Sequence, residues 1–311
     1  MKERGFSLVE LIVVMFIFSI IMIASGTTFQ RVLFGVKSES KSVESNLDKL
    51  VGAELIRLDL EHTGFGIARN TVTPPIAWNE TGVSPTHTRQ LTLRSTLNNS
   101  NQTTLGWQVI NCTSTIASIA SQSVAGWDTV GQNNIVLLDE NENFIQNTTL
   151  GSNCPAIGLY TAYPYDAGTA TGCAGQYCNQ ITYSLGGNAP ATCAPNTRNL
   201  IRTVGGGGGD PIINCVADMK VLFDLDSDGD GDIDTGAGTA NLPGTTSLII
   251  DQVKNINVYI LFQIGQREQD FVFSADTTLG GEIAFDTAAI PNFTEYRWKV
   301  IKLTGRPMGW Q

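Results

Sequence analysis

The sequence predicts an α+β protein: a long N-terminal helix whose first half spans a membrane, packed on an antiparallel β-sheet head with long, disulfide-bearing loops. Two patterns support this class. Apolar residues recur at steps near three and four from Phe29 to Leu58, which is a helical period. Beyond Gly66, short runs of alternating apolar and polar residues lie between Gly, Asn, Pro and Thr clusters, which is typical of strands and turns.

The N-terminal segment is apolar and uncharged apart from one acid, Glu10. About 20 helical residues starting at Phe6 match the roughly 30 Å of a hydrocarbon core. A carboxylate in such a segment costs roughly 2.5–3.5 kcal/mol on insertion scales and is usually retained for function. The basic residues of the leader end at Gly5, before the apolar stretch, so cleavage there leaves the helix on the mature protein. A secretory signal is cut after its apolar stretch instead.

The helical period continues to Gly64 and Gly66, which supply a stop signal. These patterns predict four segments: a leader (1–5), a transmembrane helix (6–28), an amphipathic helix continuing into a head (29–66) and a β-rich head (67–311). The stretch Ser95–Thr104 is polar without a period and is predicted to be an exposed loop. Strands are expected at Ile135–Leu138, Ile181–Leu185, Leu200–Val204, Met219–Phe223, Ile256–Ile264 and Tyr296–Val300.

The chain has a net charge of −10 and no basic run, so no nucleic-acid partner is expected. A small local patch remains around Arg297, Lys299, Lys302 and Arg306.

All six cysteines lie beyond the anchor, and an even number in an exported domain indicates disulfides with open connectivity. Reduced core cysteines are the alternative. The disulfide candidates are Cys112, Cys154, Cys173, Cys178, Cys193 and Cys215.

The strongest ligand signal is a run of aspartates at alternate positions, which repel one another unless a cation neutralises them. A calcium loop of the EF-hand type places hard oxygen ligands in this pattern around a turn glycine. The twelve-residue loop of this type fits the sequence in two registers. The first starts at Asp224 and has Thr235 at the twelfth position, and the second starts at Asp226 and has Ala237 there. Neither supplies the usual glutamate, and a solvated acidic turn is the alternative. The predicted calcium ligands are Asp224, Asp226, Asp228, Asp230, Asp232 and Asp234.

Catalytic patterns are weak, and the protein is not expected to be an enzyme. The run Gly205–Gly209 lacks the Lys-Ser/Thr of a phosphate loop and is predicted to be a flexible hairpin loop. The only histidines, His62 at the end of the helix and His87 in a loop, lie in no recognisable motif.

The run Gly5-Phe-Ser-Leu-Val-Glu-Leu resembles the N-terminus of type IV pilins and pseudopilins. The resemblance implies that a prepilin peptidase cuts after Gly5 and N-methylates Phe6. It also implies that Glu10 pairs with the methylated amine of a neighbouring subunit, where low dielectric favours paired charges. The alternative for Glu10 is a side chain that snorkels to the lipid headgroups.

Further segments are similar to PilW-type minor pilins and to the related J-type pseudopilins of type II secretion. They are Leu55–Gly66, Asn199–Thr203, Asn214–Val221, Asp224–Asp234 and Tyr296–Val300, whereas residues 70–195 match nothing in these families. The resemblance implies a minor pilin that helps to prime type IV pilus assembly and sits at or near the pilus tip.

The implied partners are other minor and major pilins, the prepilin peptidase, the inner-membrane assembly platform and a tip adhesin. The implied location is the inner membrane, with a single pass and a periplasmic head, and then the extracellular pilus. Two alternatives stay open: a pseudopilin of the tip complex in type II secretion, and a tip adhesin or DNA-binding pilus subunit.

Overall fold

The computed structural model describes residues 8–124, 128–170, 173–236, 238–267 and 271–308, without the side chains of residues 10 and 30–49. The chain divides into two compact units at the boundary between Leu47 and Asp48. Helix α1 is assigned to Leu8–Glu61 and contributes to both units.

In the second unit, α1 contacts the core through one face. Ile56 and Leu60 are fully buried, and Gly52 lets the helix approach a strand, since an added Cβ would lie 2.7 Å from the carbonyl oxygen of Ile212. The helix stops where predicted, and Gly64 and Gly66 have positive φ angles of 81° and 68°. The expected apolar series includes Val51, Leu55 and Leu58. Val51 is 70% exposed, so the prediction is wrong there, whereas Leu55 and Leu58 are half-buried.

The larger sheet has seven antiparallel strands in the order β1-β2-β7-β8-β9-β10-β11. Their bounds are β1 Ile76–Thr81, β2 Thr88–Ser95, β7 Asn179–Gly186, β8 Arg198–Val204, β9 Gly209–Leu225, β10 Val253–Ile264 and β11 Arg297–Gly305. All the strands predicted for this sheet are present. The glycine run joins β8 to β9 as the expected hairpin, and a short helix, α2 (Thr246–Gln252), precedes β10.

A second antiparallel sheet, of four strands, was not predicted. Its order is β3-β6-β4-β5, with β3 Gln108–Cys112, β4 Asn134–Asp139, β5 Phe144–Thr149 and β6 Gly158–Pro164. Only β4, one of its two central strands, matches an expected strand, because the other three mix polar and apolar residues. The second unit therefore contains two sheets instead of the one expected.

Alternation along the strands explains where the cores lie. Ile256, Val258 and Ile260 of β10 join the main core, while Leu261 on the opposite face packs with Trp298. The small sheet has its own core around Ile135 and Leu137 of β4. Apolar residues thus cover both faces of β10, which explains why it is almost completely buried.

Three disulfides join the six cysteines in pairs: Cys112–Cys154, Cys173–Cys178 and Cys193–Cys215. The first links the end of β3 to the segment before β6, and the third holds the loop before β8 against β9. The segment Ser95–Thr104, predicted to be an exposed loop, begins with the last residue of β2 and ends in a short 3-10 helix at Gln102–Thr104, and it is not exposed throughout. Thr96 and Thr104 are fully buried, and the Thr104 hydroxyl accepts a hydrogen bond from the N–H of Asn98 at 2.8 Å.

Candidate functional site

The N-terminal unit carries an apolar stretch, Leu11–Phe29, with a mean hydropathy of 2.4 over 19 residues. By length and composition this stretch is able to cross a membrane, and none of it is buried within the protein. Exposed apolar surface of this extent needs lipid or another protein to cover it. Gly5 and Phe6 lie outside the described residues. Glu10 belongs to α1, but its side chain also lies outside them, so its role in subunit assembly stays a prediction.

A second candidate site lies at the end of β9, where the chain leaves the sheet in an acidic loop. Carboxylate oxygens of Asp226, Asp228 and Asp234 lie within 4.8 Å of one another. Asp226 is buried, whereas Asp228 and Asp234 are exposed. The structure thus brings together three of the six aspartates predicted to bind metal.

Backbone N–H groups fold this loop around Asp226. Gly229 donates to Oδ1 at 2.7 Å and Gly231 donates to Oδ2 at 3.1 Å. Both glycines have positive φ angles, 79° and 95°, which residues with a Cβ rarely adopt. On the other side of the loop, the N–H of Ser227 donates to Asp234 Oδ2 at 2.6 Å. These bonds hold Asp226 and Asp234 in place without any ion.

The geometry favours the second of the two registers. Asp226, Asp228 and Asp234 are its first, third and ninth positions, and Gly231 is its turn glycine. Its twelfth position, Ala237, lies outside the described residues.

The other three predicted ligands, Asp224, Asp230 and Asp232, lie outside this cluster. Asp224 stays within β9, where its carboxylate accepts a hydrogen bond from Asn255 at 2.9 Å. Asp230 accepts one from the N–H of Asp232 at 2.9 Å, and both side chains are exposed outside the cluster.

Lys254, at the start of β10, is a member of the site that the sequence analysis missed. Its Nζ lies 3.2 Å from Asp226 Oδ2, so an ammonium already compensates part of the negative charge. Burial opposes ionisation of Asp226, but the hydrogen bonds from Lys254, Gly229 and Gly231 hold the pKa of its carboxyl below the ordinary value. Asp226 is therefore a permanently charged acceptor at neutral pH. The sequence does not indicate that Lys254 lies beside the acidic loop, because the pairing of β9 with β10 brings the two together.

The donor set fits a calcium ion better than a transition metal. Three carboxylates supply hard oxygen atoms at one point of a loop, whereas no cysteine or histidine belongs to this described cluster. A bound ion would be held by Asp226, Asp228 and Asp234, and it would offset the repulsion among them. Since Lys254 supplies one positive charge already, it would compete with that ion for Asp226.

His87 lies directly before β2 and is buried. Its Nε2 is 3.5 Å from Asp218 Oδ1, and its Nδ1 is 3.9 Å from Asp286 Oδ2. Burial, together with Arg198 and Arg89, lowers the pKa of His87 to about 4. His62, at the end of α1, instead lies with Nδ1 2.7 Å from Asn99 Oδ1. In the described part of the chain, neither histidine is hydrogen-bonded to a serine or a cysteine.

The comparison with protein families decides how the N-terminus is interpreted. Residues 1–26 match the model of the prokaryotic N-terminal methylation motif. The chain carries a prokaryotic N-terminal methylation motif. This motif and the apolar stretch Leu11–Phe29, which overlaps it, support a type IV pilin-like protein with an N-terminal membrane anchor. No curated protein and no solved structure matches the chain.

Proposed function

We propose that this protein is a minor pilin of the PilW type that helps to prime assembly of a type IV pilus and then sits at or near its tip. The observation that carries the proposal is the methylation motif at residues 1–26, which overlaps the exposed apolar stretch Leu11–Phe29 of α1. A motif of this kind leaves the helix on the mature chain, where it serves first as a membrane anchor and then as part of a filament core.

The size of the head supports a position at the end of a filament. It contains a seven-stranded and a four-stranded sheet, and three disulfides cross-link its loops. A bulky subunit is easier to place once at a tip than repeatedly along a shaft. The disulfides fit an oxidising compartment, so the head lies in the periplasm before assembly and outside the cell afterwards.

Partners follow from the same proposal. The prepilin peptidase acts at Gly5 and Phe6, and other minor and major pilins, the inner-membrane assembly platform and a tip adhesin meet the processed protein. We further propose that calcium, held by Asp226, Asp228 and Asp234, stabilises the head. The protein is not an enzyme on this proposal.

Deletion of the gene in the producing bacterium tests the role. We expect fewer surface pili, restored by the wild-type gene and not by a variant with a bulky residue at Gly5. Unchanged piliation together with loss of protein secretion would contradict the pilus assignment and favour a pseudopilin of type II secretion. Unchanged piliation with loss of attachment alone would favour an adhesin.

A further inference from the structure

A pocket opens between the turn after α1, the small sheet and α2, all within the second unit. Its volume is about 240 Å³, and three aromatic side chains line it: Phe65, Trp107 and Tyr163. The rings of Phe65 and Tyr163 meet edge to face, with centroids 5.1 Å apart and an interplanar angle of 88°. Pockets for drug-sized molecules are larger, roughly 300–1,000 Å³, so this one suits a single small ring.

Contacts from distant parts of the chain build the walls of this pocket. Arg69 donates through Nε to Glu142 Oε2 at 2.7 Å and through Nη1 to Asp251 at the end of α2. Gln176, from the loop closed by the Cys173–Cys178 disulfide, accepts from the N–H of Ala68 at 3.0 Å. The turn after α1 is therefore fixed on two sides, and the pocket is formed before any ligand arrives.

Polar groups at the pocket are free to bind a ligand. The hydroxyls of Thr161 and Tyr163 make no hydrogen bond within the described part of the chain. Neither hydroxyl is fully enclosed by protein atoms. Burial, with Glu142 nearby, raises the pKa of Tyr163 to about 12, so its hydroxyl is a donor at neutral pH. Glu142 uses Oε2 for Arg69 and keeps Oε1 as an acceptor.

The charge of the lining argues against an anionic ligand. The lining contains Glu142 and no lysine or arginine, and the nearby Arg69 is already shared between two carboxylates. A fully apolar ligand would exclude solvent from the hydroxyls of Thr161 and Tyr163 and leave them without a hydrogen-bond partner. A neutral ring with hydroxyl groups satisfies both constraints.

We propose that this pocket binds one neutral pyranose unit of a glycan. The C–H face of the sugar packs on the aromatic rings, whose faces carry partial negative charge. Its hydroxyls donate to Glu142 Oε1 and exchange hydrogen bonds with Thr161 and Tyr163. This site is separate from the methylation motif and from the acidic loop, and it gives the head a recognition surface of its own.

Saturation-transfer NMR on the full chain tests this proposal. The protein is kept in a polyoxyethylene detergent, because detergents with sugar headgroups would compete. Glucose, galactose, mannose and N-acetylglucosamine serve as probes, with N-acetyl-leucinamide as an apolar, peptide-like probe. We expect transfer from at least one sugar, with a Kd of the order of 1 mM, as befits a single ring. Trp107→Ala and Thr161→Val should each weaken binding at least several-fold, whereas Trp107→Phe should largely retain it.

Tyr177→Ala is the matched control, because Tyr177 is an exposed aromatic residue outside the pocket that stacks on Tyr165. Thr161→Val keeps the shape of the side chain, so it separates loss of the hydroxyl from misfolding. The proposal is overturned if no sugar shows transfer, if both pocket variants bind as the wild type does, or if Tyr177→Ala abolishes binding. Transfer from N-acetyl-leucinamide alone would overturn it in favour of a peptide ligand.

Discussion

Arg202 of β8 and Asp59 of α1 form a buried ion pair, in which Arg202 Nε lies 2.7 Å from Asp59 Oδ2 and Nη2 lies 3.2 Å from Oδ1. Tyr183 and Asn99 donate to the same carboxylate. One acid on the helix is thus bound by groups from two strands and a loop. This arrangement allows one rotation of the helix end on the sheet, because any other would leave a buried charge unpaired.

Asp59→Asn should strongly destabilise the head. Removing one partner of a buried pair leaves the other uncompensated, at a cost of roughly 3–5 kcal/mol. Urea unfolding of the full chain in detergent, followed by tryptophan fluorescence, measures this change. Glu54→Gln is the control, since it removes an exposed partner of Arg57 from the same helix. Equal stability of the two variants would show that Asp59 does not hold the helix end in place.

This pair also explains where the sequence-based prediction of the helix face failed. Apolar spacing pointed to Val51, but the buried face contains Asp59 beside Ile56 and Leu60. Apolar periodicity assigns a charged residue such as Asp59 to the solvent-exposed face of a helix. Nothing in the local sequence indicates that Asp59 pairs with Arg202, which lies in a strand far along the chain. The existence and end of the helix were predictable, whereas its rotation was not.

The strands of the sheets likewise divide into those that the sequence predicts and those that it does not. Strands β9 and β10 were predictable because their apolar residues alternate over many positions. Strands β3 and β5 carry polar residues on both faces and depend on pairing with β6 and β4. At the acidic loop, the local spacing located the aspartates and both registers. It did not reveal Lys254, because strand pairing brings this residue to the loop.

His87 predicts how stability changes with pH. Its pKa is about 4 in the folded protein, below the ordinary value of 6.5. Between these values the unfolded chain binds a proton that the folded chain does not, so the free energy of unfolding falls as pH falls from 6.5 toward 4. His87→Gln should reduce this pH dependence, as measured by thermal melting at a series of pH values. His62→Gln is the matched control, and a wild-type slope in both variants would contradict the assignment.

Leader processing is the most direct test of the N-terminal motif. We expect cleavage between Gly5 and Phe6 and methylation of Phe6, so the intact mass of membrane-extracted protein should lack residues 1–5 and carry one added methyl group. Gly5→Ala should be partially processed, whereas Gly5→Leu should stay unprocessed because its side chain blocks the cleavage site. A mature terminus elsewhere would contradict the proposed function.

Glu10 is expected to act in assembly and not in membrane insertion. Glu10→Leu should insert at least as well as the wild type, because an apolar residue is easier to bury than an acid. It should nevertheless reduce co-purification of other pilins and the number of pili. Glu10→Gln is the control for shape, since it keeps the size and removes the charge. If both variants assemble normally, an intersubunit charge pair at this position is ruled out.

The acidic loop predicts a calcium-dependent stability. Binding to the folded state alone raises the melting temperature by mass action, so the full chain in detergent should melt higher in millimolar calcium than in chelator. Asp226→Asn with Asp228→Asn should abolish this shift. Asp230→Asn with Asp232→Asn, which alters the same number of charges outside the cluster, should retain most of it.

Lys254 adds a sharper form of this test, because its ammonium lies 3.2 Å from the carboxylate that a bound ion would need. Lys254→Gln removes the competing charge. In chelator the variant should melt lower than the wild type, since three carboxylates then repel one another without compensation. In calcium the shift should be larger and should reach its midpoint at a lower concentration. A wild-type shift in Lys254→Gln would mean that Lys254 does not compete, and no shift in either protein would identify the run as a solvated turn.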